Sequence, residues 1–171
     1  MRALARLLLV AAVVALGGAP ALAQSHTTPG PVAIVDYGVY TLSVDRRVPA
    51  PGDISKERNV VSNVRLTHKG YEIDAQLAKS FGYRFRVTDP ALVGKTLTLR
   101  TQFPKMTNAE TGESATVQDR PFSVSSTQEE VYDGYRFDYD WEMVEGTWTF
   151  QILDGDRLLA EIKFKVVIAI N

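Results

Sequence analysis

Hydrophobic and polar residues alternate along several short segments of the chain. In FGYRFRV, Phe81, Tyr83 and Phe85 fall on one side of an extended backbone, and the arginines fall on the other. KTLTLRTQF and YRFDYDW repeat the pattern. Because successive side chains of a strand point to opposite faces, a period of two predicts antiparallel strands with one face on a core.

The same alternation is longest near the end of the sequence, in GTWTFQILDGDRLLAEIKFKVV. The segment Asp154-Gly155-Asp156 has turn residues that tolerate positive φ, so it predicts a hairpin. We expect its second strand to be a terminal edge strand. The outward charges Glu161, Lys163 and Lys165 would then prevent it from pairing with other chains.

Other segments complete an all-β pattern. Residues 32–44 predict a first strand, 45–57 a loop with prolines and glycine, and 58–68 a weaker strand. Pro121 restricts 116–127 to an edge or a bulge, and the helix-like 70–80 is too short to stand alone. The pattern predicts one antiparallel Greek-key β-sandwich of about seven to nine strands over residues 32–171. Its structural core is expected to contain Phe81, Tyr83, Phe85, Phe137, Trp148, Phe150, Ile162 and Phe164.

The N-terminus predicts export. Arg2 and Arg6 precede a short apolar run, and an A-x-A site ends at Ala23. These features are typical of a secretory signal peptide over residues 1–23, followed by a flexible leader over 24–31. We therefore expect a periplasmic or extracellular protein with no membrane span after cleavage.

Composition excludes several classes of function. Removing the two arginines of the signal leaves 17 of the 19 basic residues against 20 acidic ones, a net charge of −3, which disfavours nucleic-acid binding. The sequence has no cysteine and two histidines, of which His68 lies at a predicted turn. No nucleophile elbow, H-E-x-x-H or calcium loop is present, so we expect no cofactor, no metal and no enzymatic activity.

An acidic stretch is the most suggestive chemistry. Seven carboxylates lie between Glu129 and Glu145, and such residues bind Ca²⁺ or hydrolyse glycosides. The alternation favours another interpretation, in which Asp138 and Asp140 point outward from a strand. If YRFDYDW lies beside FGYRFRV in one sheet, they would pair with Arg84 and Arg86.

Most aromatic residues share a face with aliphatic ones and belong to the core by this reasoning. Tyr132 does not follow the alternation, and Trp141 ends its predicted strand, so we expect both to be exposed. A binding patch would include Tyr132, Asp133, Trp141 and Glu142.

The segments DYGVY, FGYRFRV, TGES and YDWEMVEGTWTFQI occur in this order. In these segments the chain resembles an exported bacterial domain family of unknown function, numbered 3859. The resemblance implies an immunoglobulin-like β-sandwich in the cell envelope, and it brings no catalytic residues.

Together these features predict a non-catalytic module that binds a protein or another envelope component. One alternative is a domain that binds a small molecule, a carbohydrate or Ca²⁺ through the loops 110–113 and 129–133. The other is a hydrolase that uses carboxylates.

Overall fold

Nine β-strands form most of the protein. The structure is a computed structural model, and it describes residues 30–169; the predicted signal peptide and residues 24–29 of the predicted leader lie outside this range. Within it, the strands are β1 (Val32–Pro49), β2 (Glu57–His68), β3 (Glu72–Asp74), β4 (Ser80–Val87), β5 (Thr96–Thr107), β6 (Ser114–Ser123), β7 (Val131–Arg136), β8 (Gly146–Asp154) and β9 (Arg157–Val167). Pro90–Leu92 and Asp140–Glu142 form single turns of 3-10 helix.

The strands form two sheets. The first sheet has the order β2-β1-β4-β7 and the second β3-β9-β8-β5-β6. All neighbours are antiparallel except β3 and β9. The prediction of an all-β sandwich with seven to nine strands is therefore confirmed. Pro121 lies in β6, which is an edge strand as its sequence required.

Aromatic side chains fill the space between the sheets. The ring of Phe81 contacts those of Phe137, Trp148 and Phe164 at centroid distances of 5.3, 5.5 and 5.5 Å. All eight residues assigned to the core from the sequence lie here, and none is more than 7% exposed. Burying such side chains contributes about 1.5–3 kcal/mol each, so the packing replaces the disulfides that this chain lacks.

The predicted strand YRFDYDW is shorter than expected. β7 ends at Arg136, and Asp140–Glu142 forms a helical turn instead of a strand. The carboxylate of Glu142 accepts hydrogen bonds from the backbone N–H groups of Asp138 and Tyr139 at 2.5 and 3.0 Å. These hydrogen bonds hold the chain in a turn between β7 and β8. The alternation of hydrophobic and polar residues does not indicate such a turn.

The early end of β7 also changes the predicted ion pairs. β4 and β7 are neighbours in one sheet, as expected, but Arg84 and Arg86 do not pair with Asp138 and Asp140. Arg84 donates to Asp36 on β1, which lies directly opposite it, and Arg86 pairs with Glu130. Each arginine thus pairs with a carboxylate on a segment next to β4.

Asp138 bonds to Arg136 on its own segment. β9 is an edge along most of its length, since Glu72–Asp74 pairs in parallel with only its last three residues. The three-residue β3 therefore pairs with part of the strand edge that charged side chains were expected to protect.

Three glycines face one another across the first sheet. Gly38, Gly82 and Gly134 are register partners on β1, β4 and β7. The rings of Tyr40 and Tyr132 lie close to this glycine row and meet edge to face, with centroids 4.9 Å apart. A Cβ on Gly82 would lie 2.3 Å from the carbonyl oxygen of Asp133. Only glycine allows the strands to approach this closely.

Candidate functional site

The β1–β2 hairpin extends well past its neighbours. Tyr40 is the last residue of β1 that pairs with β4, and residues 41–65 continue as a two-stranded arm. The predicted loop over 45–57 is thus too long, because β1 runs to Pro49 and only residues 50–56 connect it to β2. Register shifts interrupt the β1–β2 pairing in three places, and such bulges bend a strand pair and increase its twist.

The part of the arm next to its tip is fixed to the segment that follows β7. The side-chain amide of Asn59 donates to Asp138 at 2.5 Å. The hydroxyl of Tyr139 donates to Glu57 at 2.6 Å, and Arg47 donates to the same hydroxyl at 3.1 Å.

The tip of the arm reaches the second sheet. The N–H of Ile54 donates to the side chain of Gln118 on β6 at 3.3 Å, and Asn108 donates to the carbonyl of Ile54 at 2.9 Å. Ile54 is itself 5% exposed and belongs to the core. The arm therefore crosses from one sheet to the other.

A polar cavity of about 150 Å³ lies beneath the arm. Water occupies about 30 Å³ per molecule in the liquid, so this space is comparable with roughly five waters. Three parts of the fold line it, namely the arm, β5 and β6 of the second sheet, and β7 with the turn that follows. The lining residues include Leu42, Asp53, Ser55, Glu57, Arg58, Val61, Leu99, Gln118, Arg120, Tyr132, Asp133, Gly134, Tyr135, Arg136 and Glu142.

Three of the four residues of the predicted patch line this arm cavity: Tyr132, Asp133 and Glu142. Trp141 does not, and its ring stacks on Tyr139 with centroids 5.4 Å apart. The prediction that Tyr132 and Trp141 are exposed is wrong, since both are half-buried. Asp133 and Glu142 are 4% and 3% exposed. The arm, which the sequence pattern did not indicate, covers this side of the sandwich.

The carboxylate of Asp133 joins the two sheets. It accepts a hydrogen bond of 3.0 Å from the hydroxyl of Tyr83 and another from the guanidinium of Arg120 on β6. Burial, together with the charge of Asp133, raises the pKa of Tyr83 well above its usual value. The phenol therefore stays protonated and acts as a donor.

Asp53, at the tip of the arm, accepts two hydrogen bonds from Arg58, at 2.8 and 2.6 Å. This forked geometry is the strongest form of an arginine–carboxylate pair. It fixes the guanidinium of Arg58 at the edge of the cavity.

Glu142 is held by three donors: the two backbone N–H groups described above and the hydroxyl of Tyr135 at 2.9 Å. Burial nevertheless raises the pKa of Glu142 above its usual value, against the effect of these hydrogen bonds. The pKa of Tyr135 is also raised, first by burial and then by Glu142. Glu142 thus stabilises the turn after β7.

The serine hydroxyl that lines the cavity is held by the backbone. The hydroxyl of Ser55 donates to the backbone carbonyl of Glu57 at 2.8 Å. His68 is exposed and does not line the cavity. Within residues 30–169, no cluster of three or more potential ligands could hold a metal ion.

Sequence reasoning missed the arginines of this site. Arg58 was assigned to the start of a weak strand and Arg120 to an edge strand, and neither position is unusual in sequence. The one available signal was the glycine of YDGYR, since a glycine inside a strand often marks a close approach. The tip of the arm lies in a segment with two prolines and a glycine, which predicts a loop.

In the part of the chain that the structure describes, no helix is long and apolar enough to cross a membrane.

The fold is similar to that of a solved protein. The crystal structure of an immunoglobulin-like protein from Pseudomonas aeruginosa matches with a TM-score of 0.57 and 23% sequence identity, over 81% of this chain and 93% of that chain. This similarity confirms the immunoglobulin-like sandwich. No curated protein matches the chain.

A family described as "Domain of unknown function (DUF3859)" matches residues 31–166, which include all nine strands except the final residue of β9. The segments that carry the resemblance have structural positions here. DYGVY and FGYRFRV supply two glycines of the glycine row and the Asp36–Arg84 pair, and YDWEMVEGTWTFQI supplies the turn held by Glu142. The chain therefore belongs to the DUF3859 family.

Proposed function

We propose that the protein is a non-catalytic binding module of the bacterial cell envelope, and that the arm cavity holds part of the molecule it binds. The observation that carries this proposal is the cavity itself. It is a polar space between two sheets, covered by an arm that pairs with neither β7 nor β6. Concave sites with a few oriented polar groups are the usual form of binding sites.

The contacts of the arm support a role in binding. Its tip and the residues next to the tip are attached to the sandwich through side-chain hydrogen bonds and the burial of Ile54, and not through a strand ladder. An arm held in this way can separate from β7 without breaking either sheet. A bound group would be enclosed between the arm and the sandwich.

Export to the envelope remains part of the proposal, and the sequence of residues 1–23 supports it. The use of the cavity by a small molecule is an alternative within the same site. The carboxylate hydrolase is disfavoured, because Asp53, Asp133 and Glu142 are each engaged by internal donors.

Site-specific photo-cross-linking tests the binding role. A photoreactive amino acid is placed at Val61, which lines the cavity, and in a matched variant at Lys163, an exposed position on β9. Both variants are produced in the native bacterium and irradiated. We expect a discrete adduct from position 61 that is missing from position 163. Identical adducts at both positions, or none at position 61, would contradict the proposal.

A further inference from the structure

The free edge of β7 faces the arm cavity. In the β4–β7 ladder, the odd-numbered residues of β7 make the backbone hydrogen bonds, as the continuation at Phe137 shows: its N–H donates to Lys79 at 3.1 Å. Alternation then directs the backbone N–H and C=O groups of Tyr132, Gly134 and Arg136 away from β4. These residues line the cavity, and the hydroxyl of Tyr132 lies over the Cα of Gly134, where a side chain would otherwise be.

Guanidinium donors lie beside this edge. Arg58 uses Nε and Nη2 on Asp53, and Arg120 uses Nη2 on Asp133. Among residues 30–169 neither makes a further hydrogen bond, so Nη1 of Arg58 and both Nε and Nη1 of Arg120 retain donor capacity. Their side chains are about one-third exposed.

Four carboxylates line the cavity, but they repel an anion less than this number suggests. Asp53 and Asp133 are neutralised by these same arginines. Glu57 accepts from Arg47 and Tyr139, and Glu142 is turned toward Tyr135 and two backbone amides. The groups that remain open to a ligand therefore include guanidinium N–H donors and the edge of a strand.

We propose that the arm cavity binds the C-terminal residue of an extended peptide, with its backbone paired to the β7 edge at Gly134 and its carboxylate held by Arg58 and Arg120. This inference rests on the binding role proposed above and names the class of ligand. Adding a strand to a free edge provides affinity through the backbone, and a terminal carboxylate adds a charge that guanidinium groups recognise.

The apolar part of the lining limits the terminal side chain. Leu42 and Val61 of the arm and Leu99 of β5 face the same space. These side chains suit a peptide whose last residue has a small apolar side chain, such as alanine or valine.

Calorimetric titration with defined peptides tests this inference. The probes are N-acetyl-trialanine with a free carboxylate, the same peptide with an amidated C-terminus, and acetate. We expect the free acid to bind at least about tenfold more tightly than either of the others. Equal affinity for the acid and the amide, or for the acid and acetate, would overturn the inference.

Two matched arginine variants locate the contact. Arg58 and Arg100 each form a forked pair with an aspartate, but only Arg58 lines the cavity. Arg58→Lys should weaken binding of the free acid about tenfold because it loses the fork, while Arg100→Lys should not change it. Equal effects of the two variants would contradict the site, and the comparison of acid with amide in the unmodified protein does not depend on either variant.

The two proposals fail separately. Absence of binding by the free acid would overturn the peptide inference, and a specific adduct at position 61 would still support the arm cavity as a binding site for another ligand. Absence of that adduct would contradict the proposed function itself.

Discussion

The guanidinium of Arg120 on β6 donates to the carboxylate of Asp133 on β7, and this pair joins the two sheets at the side that the arm covers. Asp133 is 4% exposed, and its other oxygen accepts from Tyr83. A carboxylate with so little access to water depends on these two partners. The arm cavity and the stability of the sandwich therefore share one ion pair.

Replacing Arg120 should destabilise the protein strongly. Arg120→Ala leaves Asp133 buried with a single donor, and breaking a buried pair from one side costs about 3–5 kcal/mol. We expect about 3 kcal/mol, the low end, because the Arg120 side chain is one-third exposed. Urea denaturation measures this change. Arg100→Ala is the control, since its pair with Asp119 is exposed and should contribute about 1 kcal/mol or less.

Trp148 should be essential for the fold. It is fully buried, and it contacts Phe81, Phe103, Tyr135 and Phe137. Trp148→Ala should lower the free energy of unfolding by about 3–5 kcal/mol or prevent folding. A stable, folded variant in circular dichroism and urea denaturation would show that the β8–β9 hairpin is not a principal part of the core.

The glycine row should not tolerate a side chain. Gly82 has a φ of +158°, and a Cβ there would lie 2.3 Å from the backbone oxygen of Asp133. Gly82→Ala should therefore cost roughly 1–3 kcal/mol or more, as overpacked cores do. Gly52→Ala is the matched control, because nothing lies within 4 Å of its added Cβ. Equal melting temperatures for the two variants would contradict the close approach of β4 and β7.

Glu142 should make stability depend on pH in a definite direction. Burial raises its pKa in the folded protein above the usual value of 4.5. Folding thus favours the protonated form, and the stabilisation is complete below the unfolded pKa and is lost as pH rises through the folded pKa. Relative to Glu142→Gln, the unmodified protein should lose stability over that range. Urea denaturation at a series of pH values measures the difference.

Asp36 should show the opposite dependence. Its hydrogen bond with Arg84 lowers the pKa of the carboxyl below 3.8. The stabilisation is then present above the unfolded pKa and is lost as pH falls through the folded one. Relative to Asp36→Asn, the unmodified protein should lose stability on acidification, and the same sign for both residues would contradict the assigned environments.

The core and the sheets were predictable because their signal is local. Alternation in FGYRFRV placed Phe81, Tyr83 and Phe85 on the buried face, and all three are at most 1% exposed. The expected sandwich also placed β4 and β7 side by side in one sheet, as they are. These features depend on a period of two that any half-buried strand imposes on its sequence.

The site was not predictable for the opposite reason. Asp133 and Glu142 were predicted as members of a binding patch, but their burial depends on an arm whose residues lie some seventy to a hundred positions earlier in the chain. Asp53 and Arg58, which belong to that arm, form a pair that a proline-containing loop does not suggest. Contacts between distant segments leave no periodic trace in a single sequence.

The central claim is that the β7 edge is a binding edge within the arm cavity. Hydrogen exchange at the backbone amide of Gly134 tests this claim most directly. Amide hydrogen exchange of Gly134 and Tyr135 is measured by NMR, first in the free protein and then with saturating N-acetyl-trialanine. The amide of Tyr135 bonds within the ladder, whereas that of Gly134 faces the cavity. The account predicts faster exchange at Gly134 than at Tyr135 in the free protein, and strong slowing at Gly134 when the peptide binds. Slow exchange at Gly134 without peptide, or exchange there that the bound peptide leaves unchanged, would contradict it.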